Sequence, residues 1–272
     1  MKQGGGPSNQ RITFEKLYAQ VSFLSQVFRG EFIYQTTGLV TNLEKTLRAL
    51  EEADVLIIER DKDDEIQTVD LSPNERKRGR ENFDFYCFLI WPFIESTWLA
   101  AVSLMGLSPP DDSYRETWVN LKLAQDQAQL LGKTLYHQGD LSYFESVNKE
   151  NLKNAYLLFE EEGMCLVNQS KDPKIPTTTR LSPEWIPERD PATGTIVPAG
   201  RLWEFTETVA QSRREGKNRR DGSTVSTRVL ALADSVGRQL FETAASDGAT
   251  QEGQGKIGPK RKRRGIQTRA RL

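Results

Sequence analysis

The feature that most limits what this chain can become is the run FDFYCFLIWPFIESTWLAAVSLMGL at residues 83–107. A stretch this long and apolar either crosses a bilayer or lies in the middle of a core. Three of its features favour the core. Glu95 stands near the middle, where a charged side chain costs about 3 kcal/mol to insert. Trp91 and Trp98 lie inside the run and not at its ends, where interfacial tryptophans belong. Ser96, Thr97 and Ser103 break its apolar character. The run therefore reads as a buried helix, kinked or divided at Pro92, which has no backbone N–H. Glu95 then needs a partner or an exposed seam. The basic flank Arg76, Lys77, Arg78 and Arg80 and the acidic pair Asp111 and Asp112 resemble span flanks, which keeps a single-span protein as an alternative.

Local signals frame this helix. Ser72, Pro73, Asn74 and Glu75 form a start signal, with Ser72 as cap and Glu75 completing a capping box. Gly106 and the pair Pro109 and Pro110 stop it. Upstream, residues 1–12 are Gly-rich and polar, which predicts disorder and no secretory signal. Phe14, Leu17, Val21, Leu24 and Phe28 form one helical stripe ended by Gly30. Glu31 to Gln35 reads as a short strand, residues 42–53 as a helix, Val55 to Ile58 as a strand, and Glu65 to Leu71 as its hairpin partner after a turn at Asp61 to Asp64. Helix, strand, helix, hairpin is the order of a winged-helix-like unit.

A second such unit follows. Tyr114 to Tyr136 reads as a helix, and residues 30–63 align without a gap on residues 139–172, with eight of 34 positions identical. Gly30 falls on Gly139, Tyr34 on Tyr143, Asn42 and Leu43 on Asn151 and Leu152, and Glu51 and Glu52 on Glu160 and Glu161. That recurrence predicts a repeated strand–helix–strand unit. The fold class is thus mainly α with short β-hairpins: two winged-helix-like units, about 14–71 and 114–170, around a long kinked apolar helix within 73–106. Residues 171–200 hold six of the 12 prolines and read as irregular, pinned to the surface by Trp185 and Ile186. Residues 201–245 form a helical extension, with one helix near 202–214 and another near 223–243. Residues 246–272 form a disordered basic tail.

Charge separates body from tail. Net charge is −1, yet residues 253–272 carry eight basic side chains and no acidic one, leaving −9 on the other 252 residues. Any polyanion contact is therefore expected in the tail, at Lys260, Arg261, Lys262, Arg263 and Arg264, or in the group Arg213, Arg214, Lys217, Arg219 and Arg220. Phospholipid headgroups, RNA or an importin would each suit such segments, as would plain solvation. The helices that would enter a nucleic-acid groove are net negative: Lys45 and Arg48 face Glu44, Glu51 and Glu52, and Lys153 faces Glu160, Glu161 and Glu162. Phosphate binding needs the opposite sign, which argues against nucleic acid as their partner. The terminal Ala270, Arg271 and Leu272 match a peroxisomal address read at a free carboxyl end.

Candidate chemistry is sparse. Cys87 and Cys165 are too few for a disulfide framework or a four-thiolate zinc site, and both lie in apolar runs as structural thiols. A reducing compartment follows as the default. The one histidine, His137, has Asp140 three residues on, at a helix end where polar residues are ordinary. No nucleotide loop, nucleophile elbow or zinc-ligand spacing occurs in the sequence. Catalytic, cofactor and metal residues are accordingly expected to be none.

Four strings carry a family resemblance: YAQVSFLSQVFRGEFIY from Tyr18, EEADVLII from Glu51, FYCFLIWPFIESTWLAAVSL from Phe85, and YHQGDLSYFESVNKENLKNAYLLFEEEGM from Tyr136. Over residues 14–170 the chain resembles the carboxyl-terminal region of the glycerol-3-phosphate and dihydroxyacetone-phosphate acyltransferases, in the manner of a fungal member. In that family a separate upstream domain holds the chemistry, with a histidine followed after four residues by an aspartate. Five residues after His137 stands Ser142, so no catalytic residue transfers. The resemblance implies a non-catalytic domain that packs on or regulates an acyltransferase domain, present upstream or in trans, with acyl-CoA as the parental enzyme's substrate. It implies a membrane surface as partner, with a peroxisomal import receptor for the tail. Location is then membrane-associated and peroxisomal, or else at the mitochondrial outer membrane or the endoplasmic reticulum. The rival reading is a winged-helix-type protein- or nucleic-acid-interaction module.

Overall fold

The computed structural model describes residues 11–213 and 227–248. The chain is mainly helical, with two small antiparallel sheets. In the first unit a short strand, β1 (Ile12–Thr13), precedes α1 (Phe14–Val27) and α2 (Leu39–Glu52). The hairpin β2 (Leu56–Arg60) and β3 (Ile66–Leu71) follows. The strand order is β1-β3-β2. Leu43, Leu47, Val55, Leu56, Ile58, Val69 and Leu71 form the unit's own small core. The second unit has the same sequence of elements: β4 (Val119–Asn120), α5 (Leu121–His137), α6 (Lys149–Glu161), β5 (Cys165–Asn168) and β6 (Thr178–Leu181). Its strand order, β4-β6-β5, repeats the first.

The helix–strand part of the predicted repeat extends to backbone detail, while its leading strand forms in neither unit. At the end of α2, Asp54 takes a left-handed φ of 56° and the Val55 N–H donates to Leu50 at 2.9 Å. At the end of α6, Gly163 takes φ 72° and the Met164 N–H donates to Phe159 at 2.8 Å. Ser72 then donates its N–H to the Val55 carbonyl, and Ser182 donates to the Met164 carbonyl, both at 3.0 Å. Both serines stand in the string Leu-Ser-Pro that closes the sheet.

Between the units runs α4 (Glu81–Met105), preceded by the short α3 (Pro73–Lys77). Ser72 caps α3, its Oγ accepting the Glu75 N–H at 2.9 Å. Glu75 does not turn back to complete the box. Its buried carboxylate reaches forward and accepts the Phe83 N–H at 2.8 Å and the Asn82 side chain at 3.0 Å. It thereby satisfies one open backbone donor at the start of α4. Pro92 lies inside α4 without dividing it. Only one helical donor is lost there, and Trp91, Ile94 and Trp98, all buried, hold the turns on either side. From Ile94 to Met105 all but Ser103 are buried.

Three expectations about elements fail. Residues Glu31 to Gln35 form no strand. Phe32 packs on Phe28 and Phe93, with ring centroids at 6.0 and 5.0 Å, while Ile33 is fully exposed, so no ladder partner fits. The helix expected from Tyr114 starts only at Leu121, where Asn120 accepts the Leu123 N–H at 3.0 Å; Val119 and Asn120 pair with β6 instead. The Pro-rich segment is not wholly irregular, because β6 lies within it and is the middle strand of its sheet. Trp185 and Ile186 do pack on the core from this segment.

The extension closes the core. α7 (Arg201–Ala210) places Phe205 between Phe23 of α1 and Phe159 of α6, with centroids at 6.1 and 5.8 Å. α8 (Thr227–Gly248) lies along α4 and α5. Arg189 ties them together, donating to the Ser108, Pro109 and Gly194 carbonyls at 2.9, 2.7 and 2.8 Å and pairing with Asp234 of α8 at 2.6 Å. The closest approach is at Gly237, where a Cβ would overlap the carbonyl of Gly106. In an exposed helix Gly→Ala gains about 1 kcal/mol. Here Gly237→Ala is expected to lose about 1–3 kcal/mol through overpacking against backbone, measured as a lowered urea midpoint at unchanged slope. A stabilised variant would contradict the contact.

Candidate functional site

A buried polar cluster is built around Glu95. Its side chain is fully buried, on the face of α4 that meets the turn after α5. One carboxylate oxygen accepts the Ser142 and Tyr143 N–H groups at 2.9 and 3.1 Å. The other lies 3.3 Å from the Arg213 guanidinium, itself 2% exposed. Arg213 also donates to the Asp140 carbonyl and stacks over Trp98, 3.7 Å from the ring centre. The Asp140 carboxylate is taken by Arg228 of α8, which also donates to the Gln138 side chain. Two cations from the extension thus lock α4 to the turn that carries Asp140. The carboxylates of Glu95 and Asp140 are both engaged by these arginines.

Arg213 is a correction. Its neighbours in sequence placed it among cations free to meet a polyanion, whereas it is a core residue neutralised by Glu95. The requirement that Glu95 find a partner was readable; which arginine answered it was not, since the two stand 118 residues apart. Lys260, Arg261, Lys262, Arg263 and Arg264 lie outside the described residues, as do Arg214, Lys217, Arg219, Arg220 and the terminal Ala270, Arg271 and Leu272.

His137 closes α5 in an exposed position, its ring 5.6 Å from that of Tyr136. With Asp140 engaged by Arg228, no described carboxylate orients the imidazole as a general base. His137→Ala is therefore expected to shift stability by less than about 0.5 kcal/mol, as read from thermal unfolding; a larger loss would reveal a buried role. The thiols are inert for a physical reason: burial pushes Cys165 up to about 12 and Cys87 up to about 11. A folded-state pKa this high leaves almost no thiolate at neutral pH. Ellman's reagent at pH 7 should label neither in the native chain and both after unfolding. Among the described residues no group of three or more His, Cys, Asp or Glu side chains could hold a metal ion.

A cavity of ≈ 350 Å³ opens between the end of α1 and α6, lined by Arg29, Glu31, Thr97, Asn154, Leu158 and Glu161. Its cation is already spent on pairs: Arg29 meets Glu161 at 2.8 Å and Glu162 at 2.6 Å. Carboxylates outnumber it, so the cavity makes no phosphate cradle.

Comparison with known proteins places this chain in a family. Residues 2–168 match the family model described as the glycerol-3-phosphate acyltransferase C-terminal region. The chain belongs to this family. No curated protein and no solved structure matches it. Membership ties this acyltransferase C-terminal region to glycerol-3-phosphate-linked lipid synthesis. The matched stretch ends at Asn168, the last residue of β5. The middle strand of the second sheet and the two extension helices, α7 and α8, that pack on α4 therefore lie beyond it.

Proposed function

We propose that the chain is the non-catalytic, packing or regulatory part of a glycerol-3-phosphate or dihydroxyacetone-phosphate acyltransferase. Its family membership supports this, together with the one histidine of the sequence, whose fifth following residue is Ser142 and not an aspartate. The reaction would be carried by an acyltransferase domain, upstream or in trans, that uses acyl-CoA. The complex would work at a membrane surface, contacted by the tail cations Lys260 to Arg264. Ala270, Arg271 and Leu272 would direct it to peroxisomes.

The experiment is reconstitution. An acyltransferase domain of the family, produced without its own carboxyl-terminal region, is mixed with the purified chain. The reading expects a defined complex and a changed acylation rate. Failure to associate at micromolar concentrations would refute it. An amino-terminal fluorescent fusion tests the address: loss of the last three residues should disperse a peroxisomal pattern.

A second reading draws on the strand order. In both units the first strand pairs with the third, which supports a winged-helix-like unit and hence an interaction module. The acid-rich α2 and α6 favour protein over nucleic acid as its partner. Salt-dependent duplex binding that survives neutralising the tail would reverse that preference.

A further inference from the structure

The second half of α4 is buried, but its first half is not. Phe85, Tyr86, Phe88 and Leu89 are each about half exposed or more. They occupy consecutive turns and form one apolar surface, with the Phe85 and Tyr86 rings 5.8 Å apart. Phe88 is braced from behind by Tyr143 at 5.5 Å. One turn past Leu89, Phe93 holds Phe32, and the next residue, Ile33, projects its whole side chain into solvent. A rigid, aromatic-rich surface of this kind marks an interface.

Residues 1–10, 214–226 and 249–272 contain no aromatic side chain that would match it. The chemistry of an occupant is indicated by what adjoins the surface. Immediately before α4, Lys77 and Arg78 are exposed and pair with no acidic side chain among the described residues, with exposed Glu81 as the one acid beside them at the helix start, while the neighbouring Arg76 and Arg80 are paired with Asp70 and Asp84. Two available cations beside aromatic and aliphatic side chains that protrude are the arrangement that seats in the headgroup region of an anionic bilayer. We infer that the first half of α4, with Ile33, is a lipid-docking face. Phe85, Phe88 and Leu89 enter the acyl boundary, and Lys77 and Arg78 lie at the phosphates. The helix docks and does not span, because its other half is held in the core by Glu95.

This inference rests on the proposed membrane setting but assigns it to a surface other than the tail. The test uses the full chain and sedimentation with phosphatidylcholine vesicles, with and without phosphatidylserine. Three proteins are compared: the natural chain, one with Lys260 to Arg264 all changed to Gln, and one carrying Phe85→Gln, Phe88→Gln and Leu89→Gln. Gln keeps the helix. The tail-neutral chain should keep binding phosphatidylserine vesicles, and the patch variant should lose at least about tenfold in affinity with an unchanged melting temperature. Lys77→Glu should cost about fivefold on anionic vesicles and little on neutral ones. The inference is overturned if the patch variant binds like the natural chain, if binding vanishes with the tail charges alone, or if no vesicle binds. It is equally overturned if light scattering without lipid shows a natural dimer that the patch variant dissolves. Loss of association with the acyltransferase domain in the patch variant, at unchanged vesicle binding, would assign the surface to protein. Any of these outcomes with reconstitution intact would leave the proposed function standing.

Discussion

Glu95→Ala is expected to lower the stability of the chain by about 3–5 kcal/mol, the cost of removing one partner of a buried ion pair. The loss has two sources. Arg213 would remain buried without its counter-charge, since its side chain is 2% exposed. The Ser142 and Tyr143 N–H groups would lose their acceptor, and an unsatisfied buried donor costs about 1–3 kcal/mol. Urea unfolding should show a reduced midpoint at unchanged slope. A companion variant, Glu95→Leu with Arg213→Met, removes both charges together and should recover much of the loss. A change within about 0.5 kcal/mol for Glu95→Ala would mean that the pair is open to water, and the account of α4 as a pinned core helix would fall.

The second large effect comes from truncation. A chain ending at Asn168 keeps the whole stretch matched by the family model yet should not fold cooperatively. It lacks β6, so β4 and β5 have no strand between them. It also lacks Leu202, Val209, Val229, Leu230, Leu240 and Phe241, all buried against the core. Burying such a side chain contributes about 1.5–3 kcal/mol. Six of them outweigh much of the roughly 5–15 kcal/mol by which domains are stable. Near-ultraviolet circular dichroism should be flat and thermal unfolding non-cooperative. A sharp transition in this fragment would show that the matched region is self-sufficient and that the extension is an appendage.

What could be read in advance follows the range of the interactions. The cap at Ser72, the α4 run, the stripe of α1 and the helix–strand part of the repeat are encoded by neighbours in sequence, and the structure carries each of them. Among the described residues α4 is the one helix long and apolar enough to cross a membrane, and more than half of its most apolar stretch is buried. The failures involve partners far along the chain. β6 was hidden because prolines on both sides dominate the local texture, and only its pairing with Val119 and Cys165 makes it a strand. Glu31 to Gln35 has strand composition without a ladder partner. Arg213 looked like one of a solvated basic group, and its burial depends on a carboxylate met only when α7 folds onto α4. The Glu95 site was therefore half legible: its need was visible, its answer was not.

The proposed function makes this chain the structural partner of an acyltransferase domain, without catalytic apparatus of its own. The most direct measurement is acyl transfer by the purified full-length chain, with acyl-CoA and either glycerol 3-phosphate or dihydroxyacetone phosphate. The account predicts no product above the uncatalysed background with either acceptor, and no change on His137→Ala. Turnover that disappears in the His137→Ala variant would contradict it.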